Sequence, residues 1–318
     1  MSNTEDAAPK IKIIASRQLD GIAFGLTTYL YENGPTLWPS SPGLTFSPPI
    51  GYVGNRSYAN PFAKPPLLAT KSSSLTSMDV CKIYEAMAFG MWTHGAVMNA
   101  HVIIIWAMLG VDERQAAKLL GAYLHEAKKW MRVGNGPRVR RIKNSRQGSE
   151  LHHVWVHENA PGRGFHSHVL MNVDRRLCKE FDAWSRSCLS RLSGRDVPWR
   201  AFRIVPSYAK GDEAAVVQAW SWFKYIIKQL SENELLVSRS PRSGVSEVSA
   251  RAVFRPWRAR PSLSVPPMKM SGASHSIGAR QQVKSQFRSS FRRGETLPYQ
   301  GDELRLWQMQ QKCRGLQV

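Results

Sequence analysis

Residues 153–173, HVWVHENAPGRGFHSHVLMNV, decide the fold. They read as two strands joined by a reversal. The first, His153 to Glu158, is rich in Val, Trp and His. The second runs from Phe165 to Val173. Between them Asn159 to Gly164 contains a proline and two glycines, which turn the chain back on itself. Side chains in a strand alternate between faces. His166 and His168 therefore share one face, while Phe165, Ser167, Val169 and Met171 share the other, where apolar groups reach a core. Glu158 ends the first strand and comes level with the two imidazoles across the hairpin. Two imidazoles and a carboxylate converging on one point form a candidate divalent-metal site with open positions. A histidine pair alone is weak support for this, because same-face strand histidines are often simply exposed polar residues.

Outward from the hairpin, the sequence alternates helices and strands without a strict βαβ repeat. Asn99 to Trp106 is a β-branched run read as a buried strand. Asp112 caps an expected helix from Glu113 to Met131, whose apolar positions Ala116, Leu119, Leu120, Tyr123, Leu124, Ala127 and Trp130 form a stripe for a sheet. Further helices are expected at Arg175 to Leu192 and Asp212 to Ser231, and a strand at Trp199 to Val205. This pattern predicts an α+β fold with a central, largely antiparallel sheet and packed helices over 96–235.

The flanks read differently. Residues 1–95 form an expected loosely ordered arm with a Pro/Ser/Gly-rich middle, and a helix from Met78 to Phe89 capped by Ser77 or Asp79. Residues 236–318 are rich in Arg, Ser and Pro with little periodicity, and read as a basic, weakly ordered tail. The chain of 318 residues carries a net charge of +21: +1 over 1–95, +9 over 96–235 and +11 over 236–318. Such an excess points to a polyanionic partner. Arg138, Arg140, Arg141 and Lys143 lie in a glycine-containing stretch that is either a solvated loop or a phosphate-contacting segment.

Four cysteines without a CxxC pair indicate neither a zinc ribbon nor a disulfide framework. The N-terminal residues lack a signal-peptide pattern. The longest apolar run, Val102 to Leu109, is too short for a bilayer. The expectation is a soluble cytoplasmic protein without membrane contact.

In AAVVQAWSWFKYIIKQL, Val216, Trp220, Phe223, Ile227 and Leu230 form one apolar stripe. At about 100° per residue Tyr225 falls roughly opposite it, with Lys228 one turn along on the same side. A merely exposed tyrosine has the same pattern. Beside a metal site the pair has a chemical use. A phenol needs activation as a nucleophile, and an ammonium favours the phenolate or neutralises developing phosphate charge.

Phe165-His-Ser-His-Val169, preceded by Glu158 and followed by Tyr225-Ile-Ile-Lys228, resembles the HUH endonucleases, and within them the rolling-circle replication initiator (Rep) proteins of plasmids, phages and single-stranded DNA viruses. Asn99 to Trp106 stands where those proteins have their first strand motif, though without its usual threonines. The resemblance implies an RRM-like sheet with the tyrosine helix over the histidine face. It implies that Glu158, His166 and His168 hold Mg²⁺ or Mn²⁺, that Tyr225 is the nucleophile, and that Lys228 assists it. The implied reaction nicks single-stranded DNA at a replication origin, leaving a 5′-phosphotyrosine and a free 3′-OH, with a host helicase and polymerase as partners. No second tyrosine follows Tyr225 at the spacing of two-tyrosine initiators, and no P-loop is present, so the single-tyrosine class without a fused helicase fits. Alternatives are a transposase or relaxase of the same superfamily, and a DNA-binding protein with a decayed active site. A zinc enzyme using His152, His153, His166 and His168 is disfavoured, because His152 and His153 point to opposite faces.

Overall fold

The computed structural model describes residues 74–133, 150–240, 244–258, 260, 263, 265–293 and 298–299, and two short strands nearer the N-terminus. It divides into two compact units, 1–52 and 53–318. In the first, β1 (Lys12–Ile13) pairs antiparallel with β2 (Tyr29–Leu30). Everything below concerns the second.

The first helix, α1 (Ser77–His94), begins at a capping box. The Thr76 side chain accepts from the Asp79 amide, and the Asp79 carboxylate accepts from the Thr76 amide at 3.3 Å. The cap is thus Thr76, one residue before the expected Ser77, because the reciprocal bond needs an acidic partner three residues on. The helix stops at Gly95, whose φ of 59° is the left-handed cap conformation.

The expected α+β architecture is present. Five strands form an antiparallel sheet in the order β6-β3-β5-β4-β9. They are β3 (Ala100–Ile105), β4 (His153–Ala160), β5 (Gly164–Met171), β6 (Phe202–Pro206) and β9 (Ser271–Ala273). Register fixes the two faces. Ala100, Val102, Ile104, Phe165, Val169, Met171 and Phe202 bury one face against α2 (Glu113–Val133) and α3 (Cys178–Ser193). From α2 come Ala116, Leu120, Tyr123, Leu124, Ala127 and Trp130, the stripe read from the sequence. Each large side chain so buried contributes about 1.5–3 kcal/mol of transfer free energy. Tyr123 is fully buried and bonds Ser185 of α3 at 2.9 Å, so packing explains it.

The other face carries His101, His166 and His168 and lies under α4 (Asp212–Ile226). The apolar stripe of α4 turns away from the sheet, and Trp220 and Phe223 meet Tyr84 of α1 at ring distances of 5.0 and 5.9 Å. Phe254, Phe291 and Tyr299 close this aromatic cluster.

Those last residues belong to the stretch read as a tail, so the sheet and its supports extend past the expected limit at 235. β7 (Leu235–Ser240) and β8 (Gly244–Ser249) form a hairpin leading into the short α5 (Ala250–Phe254). β9 then adds to β4, pairing Gly272 with Trp155. A Cβ on Gly272 would come within 2.7 Å of the Trp155 ring, so only glycine lets the two backbones close. Two short helices, α6 (Ala279–Lys284) and α7 (Ser290–Arg293), follow. The Ser271 hydroxyl bonds Asp79 at 2.8 Å, tying the edge strand to the cap of α1. α1 itself falls inside the expected arm of 1–95 and is buried on nearly all sides. The rest of that arm up to residue 73, apart from β1 and β2, lies outside the described residues.

Cys81, Cys178 and Cys188 are free thiols. Among the described residues no helix is long and apolar enough to cross a membrane.

Candidate metal and tyrosine site

The site starts from the β4–β5 turn. Ala160 pairs with Gly164, leaving Pro161, Gly162 and Arg163 as a tight connection shorter than expected from the sequence. Gly162 and Gly164 have φ of 77° and 69°, the left-handed values that such a turn requires. The turn sets a register in which Glu158 lies directly opposite His166, and Val156 opposite His168. All three expected ligands therefore face α4.

Their geometry is tight. Glu158 Oε2 lies 3.0 Å from His168 Nε2 and 3.4 Å from His166 Nε2. All three side chains are buried, with exposures of 1% or less. One ligand atom from each can be chosen so that all lie within 4.8 Å of one another. His166 Nε2 and Glu158 Oε1 are buried without a hydrogen-bond partner, so each has a lone pair uncommitted. His166 Nδ1 is 2.9 Å from the Gly164 carbonyl. A carbonyl only accepts, so the ring proton sits on Nδ1 and Nε2 is bare, the state a metal ligand needs. The residues present thus fit a divalent cation.

Electrostatics point the same way. Burial alone would raise the Glu158 carboxyl, but hydrogen bonding to the His168 ring and the Lys228 charge beside it hold it well below the ordinary range, so it is ionised. Burial and the Lys228 charge lower His168 to about 3, so its imidazole is neutral.

Tyr225 comes from the last turn of α4 and is half-buried. Its ring stands edge-on to His168, with centroids 5.3 Å apart at 83°. Lys228 is also brought in, but not by the helix. The sequence predicts helix to Ser231, whereas α4 ends at Ile226. The cause is a competing backbone partner. The Lys224 carbonyl, which a continuing helix would bond to the Lys228 amide, accepts instead from the Trp257 amide at 3.0 Å. The Lys228 amide bonds Tyr225 O, and the Lys228 carbonyl accepts from the Arg260 amide. Gln229 donates to the Asn159 carbonyl, pinning this turn to β4. The Lys228 ammonium then pairs with Glu158 Oε2, lies 3.1 Å from His168 Nε2 and sits 4.1 Å from the centre of the Tyr225 ring. Three of the expected site residues, Glu158, His168 and Tyr225, thus surround Lys228.

Tyr208, the other tyrosine considered, is 80% exposed. Arg138, Arg140, Arg141 and Lys143 lie outside the described residues.

Sequence reading missed His101 on β3. Its Nε2 is 2.9 Å from His168 Nδ1, and its ring packs near Tyr225 and Trp222 at 5.7 and 5.8 Å. The signal was available in AHVIII: with Ala100, Val102 and Ile104 facing the core, His101 must face the other way. Its contact with His168 needs the β3–β5 register, which the sequence does not state.

No family model, curated protein or solved structure matches the chain.

Proposed function

We propose that the protein is a metal-dependent endonuclease and strand transferase of the HUH type, acting on single-stranded DNA as rolling-circle initiators do, with Tyr225 as nucleophile. The observation that carries the reading is the contact of one lysine ammonium with Glu158, His168 and the Tyr225 ring around a buried, ligand-ready group. A phenol has a pKa near 10 and is a weak nucleophile until a cation favours its ionised form. Lys228 stands over the Tyr225 ring, where its charge can offset charge on the phosphate. Tyr225 Oη bonds to phosphorus and the bond to the 3′ oxygen breaks. The phenolic proton ends on that oxygen. The products are a 5′-phosphotyrosine and a 3′-hydroxyl, which a polymerase extends.

A divalent ion held by Glu158, His166 and His168 would supply Lewis acidity to the phosphoryl oxygens. Two imidazoles in the set favour Mn²⁺ over Mg²⁺, whose preference is for oxygen ligands. The third ligand-capable group is a carboxylate, since His101 is committed to His168, and this favours an initiator over a relaxase. The net charge of +21 suits a polyanionic substrate.

The test is incubation of labelled circular single-stranded DNA with the protein and Mn²⁺, followed by a denaturing gel and peptide mapping. The expected result is a covalent adduct on Tyr225 that Tyr225→Phe abolishes while its melting temperature is kept. DNA attached elsewhere, or full nicking by the Phe variant, would overturn the reading.

A further inference from the structure

Residues paired across an antiparallel sheet share a face, so register sorts the site face into rows. Glu158, His166 and Ile105 form one row. Val156, His168, Ile103 and Arg203 form the next, with Arg203 on the edge strand β6. Leu170, His101 and Val205 form a third. α4 covers the third row and reaches the second at His168: Trp222 and Tyr225 pack on His101, and Tyr225 on His168. Toward β6 the first two rows are more open. Ile103 and Ile105 are only half-buried, whereas Ala100, Val102 and Ile104 on the opposite face are fully buried. Arg203 is exposed. A partly open apolar floor thus leads from the Glu158–His166–His168 group to a guanidinium at the sheet edge, two strand spacings or about 10 Å away.

The same edge carries a second feature. Just before β6 the Ala201 amide donates to the Pro198 carbonyl at 2.9 Å, which makes Trp199 and Arg200 the two central residues of a tight turn. The turn is fastened to the sheet beside the floor. Ala201 is fully buried, and its carbonyl accepts from the Ile105 amide at 2.7 Å. Trp199 is 74% exposed, and the Arg200 guanidinium stands 4.8 Å from the centre of its ring. Tryptophan is mostly buried in folded chains and is enriched at interfaces when it is not. From 197 to 211 the chain holds Arg200, Arg203 and Lys210 and no acidic residue.

We propose that this open side of the face is the track for the single-stranded DNA flanking the scissile phosphate, with Arg203 holding a neighbouring phosphate and Trp199 stacking on a base. Single strands are bound by basic grooves that follow the backbone and by aromatic rings on which bases stack. Both parts are present here, joined by the Ile103 and Ile105 floor. A duplex keeps its bases stacked on each other and leaves Trp199 no free base face. An acidic protein would answer the arginines but not the ring. Stacking of one base on an aromatic side chain strengthens binding about 5–150-fold.

The proposal rests on the function proposed above, and the test separates the two. Binding of a short fluorescein-labelled oligonucleotide of mixed sequence is followed by anisotropy in chelator, so that no cleavage is needed. The full chain is compared with Trp199→Ala, Trp199→Phe and Arg203→Gln. Both positions are exposed, so all three variants are expected to melt like the wild type. Trp199→Ala is expected to weaken binding about 5–150-fold, and Trp199→Phe, which keeps a ring, to recover most of that loss. Arg203→Gln is expected to lower the slope of log affinity against log salt by about 0.7, the value for one phosphate of a single strand. On the matching duplex Trp199→Ala should change little. Unchanged single-strand affinity in Trp199→Ala, Phe no better than Ala, an unchanged salt slope in Arg203→Gln, an equal loss on the duplex, or tighter binding of the matching RNA would each overturn the proposal. A protein that holds the oligonucleotide through Trp199 yet forms no adduct on Tyr225 would sink the endonuclease reading and leave this surface standing. An adduct on Tyr225 with wild-type DNA affinity in both Trp199→Ala and Arg203→Gln would do the reverse.

Discussion

Lys228 shows how much one buried cation organises. Its ammonium lies among a carboxylate, an imidazole and a phenol ring, and its own side chain is almost inaccessible to solvent. Taking one partner from a buried ion pair leaves the other charge uncompensated, at a cost of about 3–5 kcal/mol. In Lys228→Met the ionised Glu158 would face two imidazoles with no cation. The expected outcome in chelator is a fall in unfolding free energy of about that size by urea titration. Adding Mn²⁺ should then restore stability more strongly in the variant than in the wild type, because the ion replaces the missing charge instead of competing with it. Equal metal-induced stabilisation of both proteins would show that Lys228 and the ion do not share Glu158. The side chain was legible in the sequence through its spacing from Tyr225. Its pairing with Glu158 was not, since that depends on α4 ending early at a hydrogen bond from Trp257.

The β4–β5 hairpin carries the site because its turn fixes register. Alternation in FHSHV placed both imidazoles on one face, and the Pro-Gly-Arg-Gly reversal brought Glu158 level with them, so the group able to hold a metal was readable from the sequence. Gly164 is the constraint behind it. Its φ is 69°, and a Cβ there would meet the Ala107 side chain at 2.8 Å. Its carbonyl also orients His166. Gly164→Ala is therefore expected to destabilise by more than the ~1 kcal/mol ordinary for a residue forced into this region. It should weaken Mn²⁺ binding as well, whereas Gly162→Ala, with no atom within 4 Å of the added carbon, should cost only the backbone strain. Isothermal titration of both variants checks this, and equal metal affinity in the two would remove the Gly164 carbonyl from the account. By contrast, β9 and the aromatic anchors Phe254, Phe291 and Tyr299 were not legible as structure. Each attaches through one or two side chains or a three-residue ladder, too short for a period of two or 3.6 to register. Composition rich in Arg, Ser and Pro then reads as an unfolded tail even where single aromatic groups anchor it.

Across the whole molecule, the fold buries neutral histidines on both faces of one sheet, and this sets its response to acid. Burial lowers His152 to about 4, and His153, His157 and His168 to about 3. His153 Nδ1 and His157 Nε2 also lack hydrogen-bond partners, so no compensating bond favours their charged forms. In the unfolded chain each imidazole titrates near 6.5. Below about 6.5 the unfolded state thus binds protons that the folded state refuses, and stability falls as pH drops. Each such histidine contributes a slope of up to about 1.4 kcal/mol per pH unit. The window runs from about 6.5 down to about 4, where His152 begins to protonate in the folded state. Glu158 acts lower. Its depressed carboxyl adds stability that is present above its unfolded value and lost as pH falls through the folded one. Urea unfolding in chelator at pH 7.5, 6 and 5 should therefore show a steep loss confined to the acid side of about 6.5. His153→Leu removes one of these groups from the core side of β4, away from the ligand atoms, and should flatten the slope by about one proton. Stability that is level between pH 7.5 and 5, or a slope unchanged in the Leu variant, would mean that these imidazoles are already paired with protons in the folded protein.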